Sequence, residues 1–172
     1  MYELRYRALF LSEQKKGKGE STMQQYTELW LGKNRAIKLY EFLLREVSEE
    51  YGLSLVEADI ISFLQHNPGL DTAADIAEFK MLTKGCVSKA VDSLMNKQLL
   101  TRRKDEKDRR KMHLYLTDFA KPVTEQIEKI HEELRVVMFD GFTEEELRMY
   151  ASFRKRFLEN VKNEMDRRRI HD

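Results

Sequence analysis

Apolar side chains recur every three or four positions at Met23, Tyr26, Trp30, Ile37, Tyr40, Leu44, Val47 and Tyr51, broken only by Lys33. That spacing predicts a long amphipathic helix with a seam close to the coiled-coil period. The seam, Leu44 included, is expected either to pack on its own domain or to meet a second chain, and both readings stay open. Gly52 is placed as a C-terminal cap, and Ser54 with Glu57 forms a capping-box pattern that restarts the chain as a helix to about His66. In that helix Val56, Ile60, Phe63 and Leu64 are expected inward, and Pro68 and Gly69 end it.

A short helix is predicted from Asp71 or Thr72. After a turn at about 80–82, Thr83 stands where an N-cap is needed for a further helix to Asn96. Two short helices around a tight turn are a helix-turn-helix. On the second of them Val87, Ala90, Val91 and Leu94 share one arc, and Gly85, Ser88, Lys89, Asp92 and Asn96 share the opposite one. Residues 99–104 and 111–116 then read as strands around a charged loop at 105–110, a β-hairpin wing with Met112, Leu114 and Leu116 on one face.

Helical spacing returns from Asp118 to 138, and beyond Gly141 the pair Thr143 and Glu146 opens a last helix containing Leu147, Tyr150, Phe153, Phe157 and Val161. The fold class expected is mostly α with a small β-hairpin wing, a winged helix-turn-helix flanked by long dimerisation helices. The divisions are a tail or linker at 1–22, a dimerisation helix at 23–54, a DNA-binding lobe at 55–117 and C-terminal dimerisation helices at 118–166. Because Met23 follows the aperiodic polar stretch directly, Met1 and Met23 are both readings of the start.

Composition narrows the function. With 172 residues, one domain is expected, and 2 Pro, 7 Gly and 35% charged residues favour helix over a turn-rich sandwich. The start lacks the apolar core of a signal peptide and no long uncharged apolar run follows, so a soluble cytoplasmic protein without a membrane partner is expected. One cysteine, Cys86, and four histidines show no metal-ligand spacing, so neither a metal nor another cofactor is expected. No Ser/His/Asp set, carboxylate pair or Gly-rich phosphate loop stands out, and no enzyme is expected.

The net charge of +1 conceals a division. Positions 80–113 hold eleven Lys and Arg against four acids, a net +7, which leaves −6 for the rest. A basic centre in an acidic frame is the footprint of a nucleic-acid site on a separate scaffold. Gly85 and Ser88 keep the exposed helix face short enough to seat in a major groove, Ser88 and Lys89 supply donors, and Thr83 with the first-turn N–H groups suits a phosphate. The hairpin carries cations on both arms and at its tip, with acids at 105 and 108 placed to orient an arginine.

The stretch from Leu82 to Leu94, then Leu99-Leu100-Thr101-Arg102, Asp105-Glu106-Lys107-Asp108-Arg109-Arg110 and Leu114-Tyr115-Leu116-Thr117, resembles the DNA-binding lobe of the MarR family, the multiple antibiotic resistance regulators. The resemblance extends over roughly residues 25 to 165 and implies a homodimer closed by the first and the last two helices. It implies sequence-specific binding of double-stranded DNA, with repression relieved by a small phenolic or other aromatic effector or by cysteine oxidation. By the same pattern Asp108 positions Arg110 for the minor groove. Ala120 departs from the glycine common there, which touches a helix start and not the DNA reading.

The residues expected to meet DNA are thus Thr83, Lys84, Gly85, Ser88 and Lys89 on the helix and Arg102, Lys104, Asp108, Arg109 and Arg110 on the hairpin. Trp30, Tyr40, His66 and His131 are candidates to line an effector pocket, though aromatics at helical spacing are more often core. Cys86 is better placed as a small buried hydrophobe than as a redox sensor. Two rivals stand beside the regulator: a winged helix that binds protein, which has little use for so basic a wing, and an architectural DNA binder without an effector.

Overall fold

Ser54 and Thr72 are each followed three positions later by a carboxylate, and in the computed structural model both pairs close as capping boxes. These boxes set the starts of α2 (Leu55–His66) and α3 (Ala73–Lys80), each satisfying backbone donors that a helix N-terminus leaves unpaired. The structure describes residues 22–108, 110–168 and 170, so the expected tail lies outside them except for Thr22. Ahead of α2 runs α1 (Thr22–Glu50), ended by Gly52 at φ +61°. Met81 ends α3 in the left-handed region at φ 54°, and Thr83 then caps α4 (Lys84–Asn96), its Oγ1 accepting from the Cys86 N–H at 3.2 Å.

The chain turns into β1 (Leu100–Lys104) and β2 (Met112–Leu116), an antiparallel pair with Leu100 opposite Leu116 and Lys104 opposite Met112. A 3-10 turn at Asp118–Ala120 leads into α5 (Lys121–Met138). Thr143 and Glu146 then make the third capping box, Thr143 N–H donating to Glu146 at 2.8 Å, and open α6 (Glu144–Arg168). The architecture is mostly helical with a single hairpin among the described residues, the fold class expected. No helix among the described residues is long and apolar enough to cross a membrane.

Two units divide the chain, 1–40 and 41–172. In the first, the described part of α1 leaves Leu29, Trp30, Leu31 and Ile37 exposed. In the second, Leu44, Ile60, Ile61, Phe63, Ile76, Val87, Leu94, Val123 and Ile127 are fully buried. Each such side chain contributes about 1.5–3 kcal/mol by leaving water. Leu44 therefore belongs to the core of its own chain and is not part of a seam between chains. Helix α2 is also more deeply embedded than its spacing suggests: Ala58, Ile61 and Ser62 are buried with Ile60 and Phe63, while Val56 and Leu64 are half-buried. Packing against both α4 and α5 covers it on more than one side.

Among these apolar contacts sits an ionised group. Glu57, 4% exposed, accepts the Ser54 N–H at 2.6 Å and pairs with Lys97 Nζ at 3.0 Å, and that ammonium also donates to the Gly52 carbonyl at 2.8 Å. Burial works against the carboxylate, but hydrogen bonds from Ser93, the Ser54 backbone and Lys97 outweigh it and hold its pKa at about 2 against an ordinary 4.5. A depressed carboxyl stabilises the fold above its unfolded value and loses that contribution as the pH falls through its folded one. Glu57 should thus cost stability between about pH 4.5 and 2. Lys97→Met should lower stability by about 1–3 kcal/mol at neutral pH, read by urea denaturation, because it leaves a buried carboxylate short of donors.

Candidate nucleic-acid interface

Helix α4 is fixed by one face and offers the other. Val87, Ala90, Val91 and Leu94 are buried, whereas Thr83, Lys84, Gly85, Ser88, Lys89, Asp92 and Asn96 are exposed. A Cβ built on Gly85 meets nothing within 4 Å, so packing inside the chain does not require glycine there. The effect of that glycine is to keep the exposed surface low next to Ser88 and Lys89. Cys86 is half-buried at the edge of the packed face.

The wing is an organised turn. Asp105 N–H donates to the Lys111 carbonyl at 3.1 Å, Lys111 N–H donates to the Asp108 carbonyl at 2.8 Å, and Asp105 Oδ1 accepts the N–H groups of Lys107 and Asp108 at 2.8 and 2.6 Å. One oxygen of Asp108 accepts from both the Arg110 N–H at 3.1 Å and its Nε at 3.2 Å. The Arg110 side chain is nevertheless 92% exposed, held at its root with its charge outward. Its hydrogen bond to Asp108, then its backbone N–H, keeps the Asp108 carboxyl below the usual range. Arg109 lies outside the described residues.

Strand register sorts the remaining cations. Arg102 and Lys104 stand opposite Leu114 and Met112, so they share one face of the hairpin, and Arg102 Nη1 reaches to 3.9 Å from Asp92 on α4. Arg103 takes the other face, its guanidinium 5.3 Å over the Tyr115 ring. All three cations are exposed. Of the wing cations, Arg102 makes the ionic contact with α4.

Asp105 departs from the expected role. Among the described residues it pairs with no arginine; its Oδ2 meets His113 Nε2 at 3.0 Å, while His113 Nδ1 meets Asp71 at 2.5 Å. The N–H of Asp108, then His113 and the N–H of Lys107, draw the Asp105 carboxyl down to about 2. Sequence reasoning missed His113, whose only local signal is Asp105 eight positions earlier.

His66 and His131 stack at 4.2 Å where α2 meets α5, with the hydroxyl of Ser62 2.9 Å from His131 Nε2. Burial, and then His66 beside it, lower the His131 pKa. Trp30 is exposed under Lys33, whose Nζ lies 5.1 Å over the ring. Among the described residues no group of three or more His, Cys, Asp or Glu is placed to hold a metal ion.

Residues 51–111 match the model of the MarR family. Among solved structures the chain is similar to the transcriptional regulator PA3341, at 25% identity over 80% of this chain and 98% of that one, with a TM-score of 0.67. It is similar also to a MarR-family regulator from Silicibacter pomeroyi (24% identity, 81% and 88% covered, TM-score 0.59). A MarR transcriptional regulator from Methanosarcina mazei Go1 shares 21% identity over 77% and 97% of the two chains, with a TM-score of 0.61. No curated protein matches the chain.

The exposed face carries a folding cost that substitution can recover. Gly85→Ala should raise stability by up to about 0.5–1 kcal/mol in urea denaturation, since a glycine held in the first turn of a helix loses more backbone entropy than alanine. Thr83→Ala should lower it by about 1 kcal/mol through loss of the N-cap, and Thr83→Ser should restore it.

Proposed function

We propose that this chain, whose residues 51–111 carry a winged helix of the MarR family, is a dimeric transcription regulator that binds double-stranded DNA sequence-specifically. The observation that carries the reading is Arg110, almost fully exposed yet oriented at its root by Asp108, on a basic hairpin beside the low, polar face of α4. On this reading α4 enters a major groove. Ser88 and Lys89 meet base edges, Gly85 gives clearance, and Thr83 and Lys84 hold phosphates. Arg110 enters the adjacent minor groove, where a narrow, A·T-rich groove attracts a cation, and Arg102, Lys104 and Arg109 neutralise backbone.

The divisions of labour follow: 55–117 reads DNA, and the helices at 23–54 and 118–166 join two copies. Support for dimerisation comes from α6, where no described residue is buried and Phe153, Phe157, Leu158 and Val161 are exposed. Repression relieved by a small phenolic or other aromatic effector is the mode we infer, with the stacked His66 and His131 as the place to look for its contacts. A protein-binding winged helix and an architectural DNA binder remain the rivals to be tested.

Selection of bound duplexes from a random pool is the direct experiment. The wild type should enrich a pseudo-palindrome, and Ser88→Ala or Lys89→Ala should change the preferred bases, each contact being worth about 1–3 kcal/mol of discrimination. Enrichment of nothing beyond base composition would favour the architectural rival. Arg110→Ala should weaken operator binding at least tenfold, leave thermal stability unchanged and reduce the slope of log affinity against log salt by about 0.9. Unchanged affinity in that variant would put the protein-binding rival ahead. Phe157→Glu should convert the dimer to a monomer by light scattering and weaken operator binding together with it.

A further inference from the structure

His113 is the second residue of β2, and its ring touches carboxylates on two other segments. Nδ1 lies 2.5 Å from Asp71 Oδ1, just ahead of α3, and Nε2 lies 3.0 Å from Asp105 Oδ2, at the root of the wing turn. The backbone follows the same path: Leu114 N–H donates to the Asp71 carbonyl at 2.7 Å, and Thr72 bridges to His113. Asp105 in turn caps the tip through the N–H groups of Lys107 and Asp108, and Asp108 holds Arg110. Side chains and the N–H groups of the turn thus connect the start of the helix-turn-helix to the arginine at the wing tip.

The chemistry of the ring makes this connection conditional. A neutral imidazole has one N–H and one lone pair, so between two carboxylates it donates to one and turns a lone pair on the other. An imidazolium donates to both. Among the described residues the groups that face the ring from other segments are Asp71 and Asp105; Tyr115 lies 6.5 Å along the same strand, and the cross-strand Arg103 directs its guanidinium over Tyr115.

We propose that His113 is a proton-dependent positioning residue: its imidazolium holds the wing, and Arg110 with it, against the start of the helix-turn-helix, and deprotonation frees the wing turn and weakens DNA binding. The last step rests on the DNA-binding reading above, whereas the freeing of the turn is a property of the protein alone. Hydrogen bonds to Asp71, then Asp105, raise the His113 pKa above its ordinary 6.5. A raised histidine contributes fully below 6.5, and the contribution disappears as the pH rises through the higher folded value.

The test is an NMR titration of the full chain from about pH 5.5 to 9, following the His113 ring and the wing amides, with duplex affinity of the wild type, His113→Gln and Asp71→Asn measured at the same pH values. The wing amides should lose order with the midpoint of the ring, and wild-type affinity should fall about tenfold across it. His113→Gln should bind weakly and without that pH dependence, and Asp71→Asn should move the midpoint down. A wing that stays unchanged while His113 titrates, or a His113→Gln variant that keeps the wild-type profile, would overturn the proposal. If the wing loosens with the ring but no variant binds duplex, the DNA reading fails and the tie stands. If duplex binding depends on Arg110 but is flat with pH, the tie fails and the DNA reading stands.

Discussion

The structure turns on one buried carboxylate. Glu57, in the first turn of α2, accepts the N–H of the capping Ser54 and pairs with Lys97, the cap residue that ends α4, while the same ammonium donates to the carbonyl of Gly52 at the end of α1. Three separate segments therefore meet at a charge that solvent scarcely reaches. A buried ion pair of this kind adds little net stability, because desolvation consumes most of the attraction; what it penalises heavily is any arrangement that leaves one member alone. Here that penalty falls on movement of the C-terminal end of α4, three residues before β1 begins. The pair thus anchors the end of α4 from which the chain runs on into the hairpin.

From that anchor the division between packing and presentation follows. The same turns of α4 that bury Val87, Ala90, Val91 and Leu94 expose Gly85, Ser88 and Lys89, so a rigid core positions a surface that contributes almost nothing to it. The wing uses polar contacts for the same purpose. Asp105 and Asp108 each direct one oxygen to N–H groups of the turn, which gives the basic stretch a defined shape with Arg110 pointing out. Like charges at 102–104, 107 and 109–111 repel, and the two aspartates, with Asp92 at 3.9 Å from Arg102, offset part of that repulsion.

Much of this was legible in the order of residues because the deciding forces are local. Capping boxes at Ser54 and Thr143, the glycine stop at Gly52 and the two-faced pattern of α4 each depend on neighbours three or four positions apart, and each is found where the pattern places it. What periodicity cannot tell is which surface covers an apolar stripe. Leu44 lies on the stripe of α1 but is covered by its own chain, and α2 buries Ala58 and Ile61 because two helices pack on it. The tie from Asp71 to His113 spans 42 positions and Lys97 reaches 40 back to Glu57, separations at which no local pattern pairs one charge with another. Sequence places Asp105 within five positions of Arg102, Arg103, Arg109 and Arg110 and so suggests an arginine as its partner, whereas the hairpin brings His113 to it instead.

The central claim is that one face of α4 and the wing tip engage the same duplex together. Hydrogen–deuterium exchange of the full chain, with and without a duplex taken from the selected pool, tests it most directly. The account predicts added protection at both 83–96 and 104–112 with the selected duplex and far less with a scrambled one. Protection confined to other helices, or present at α4 and absent from the wing, would contradict it.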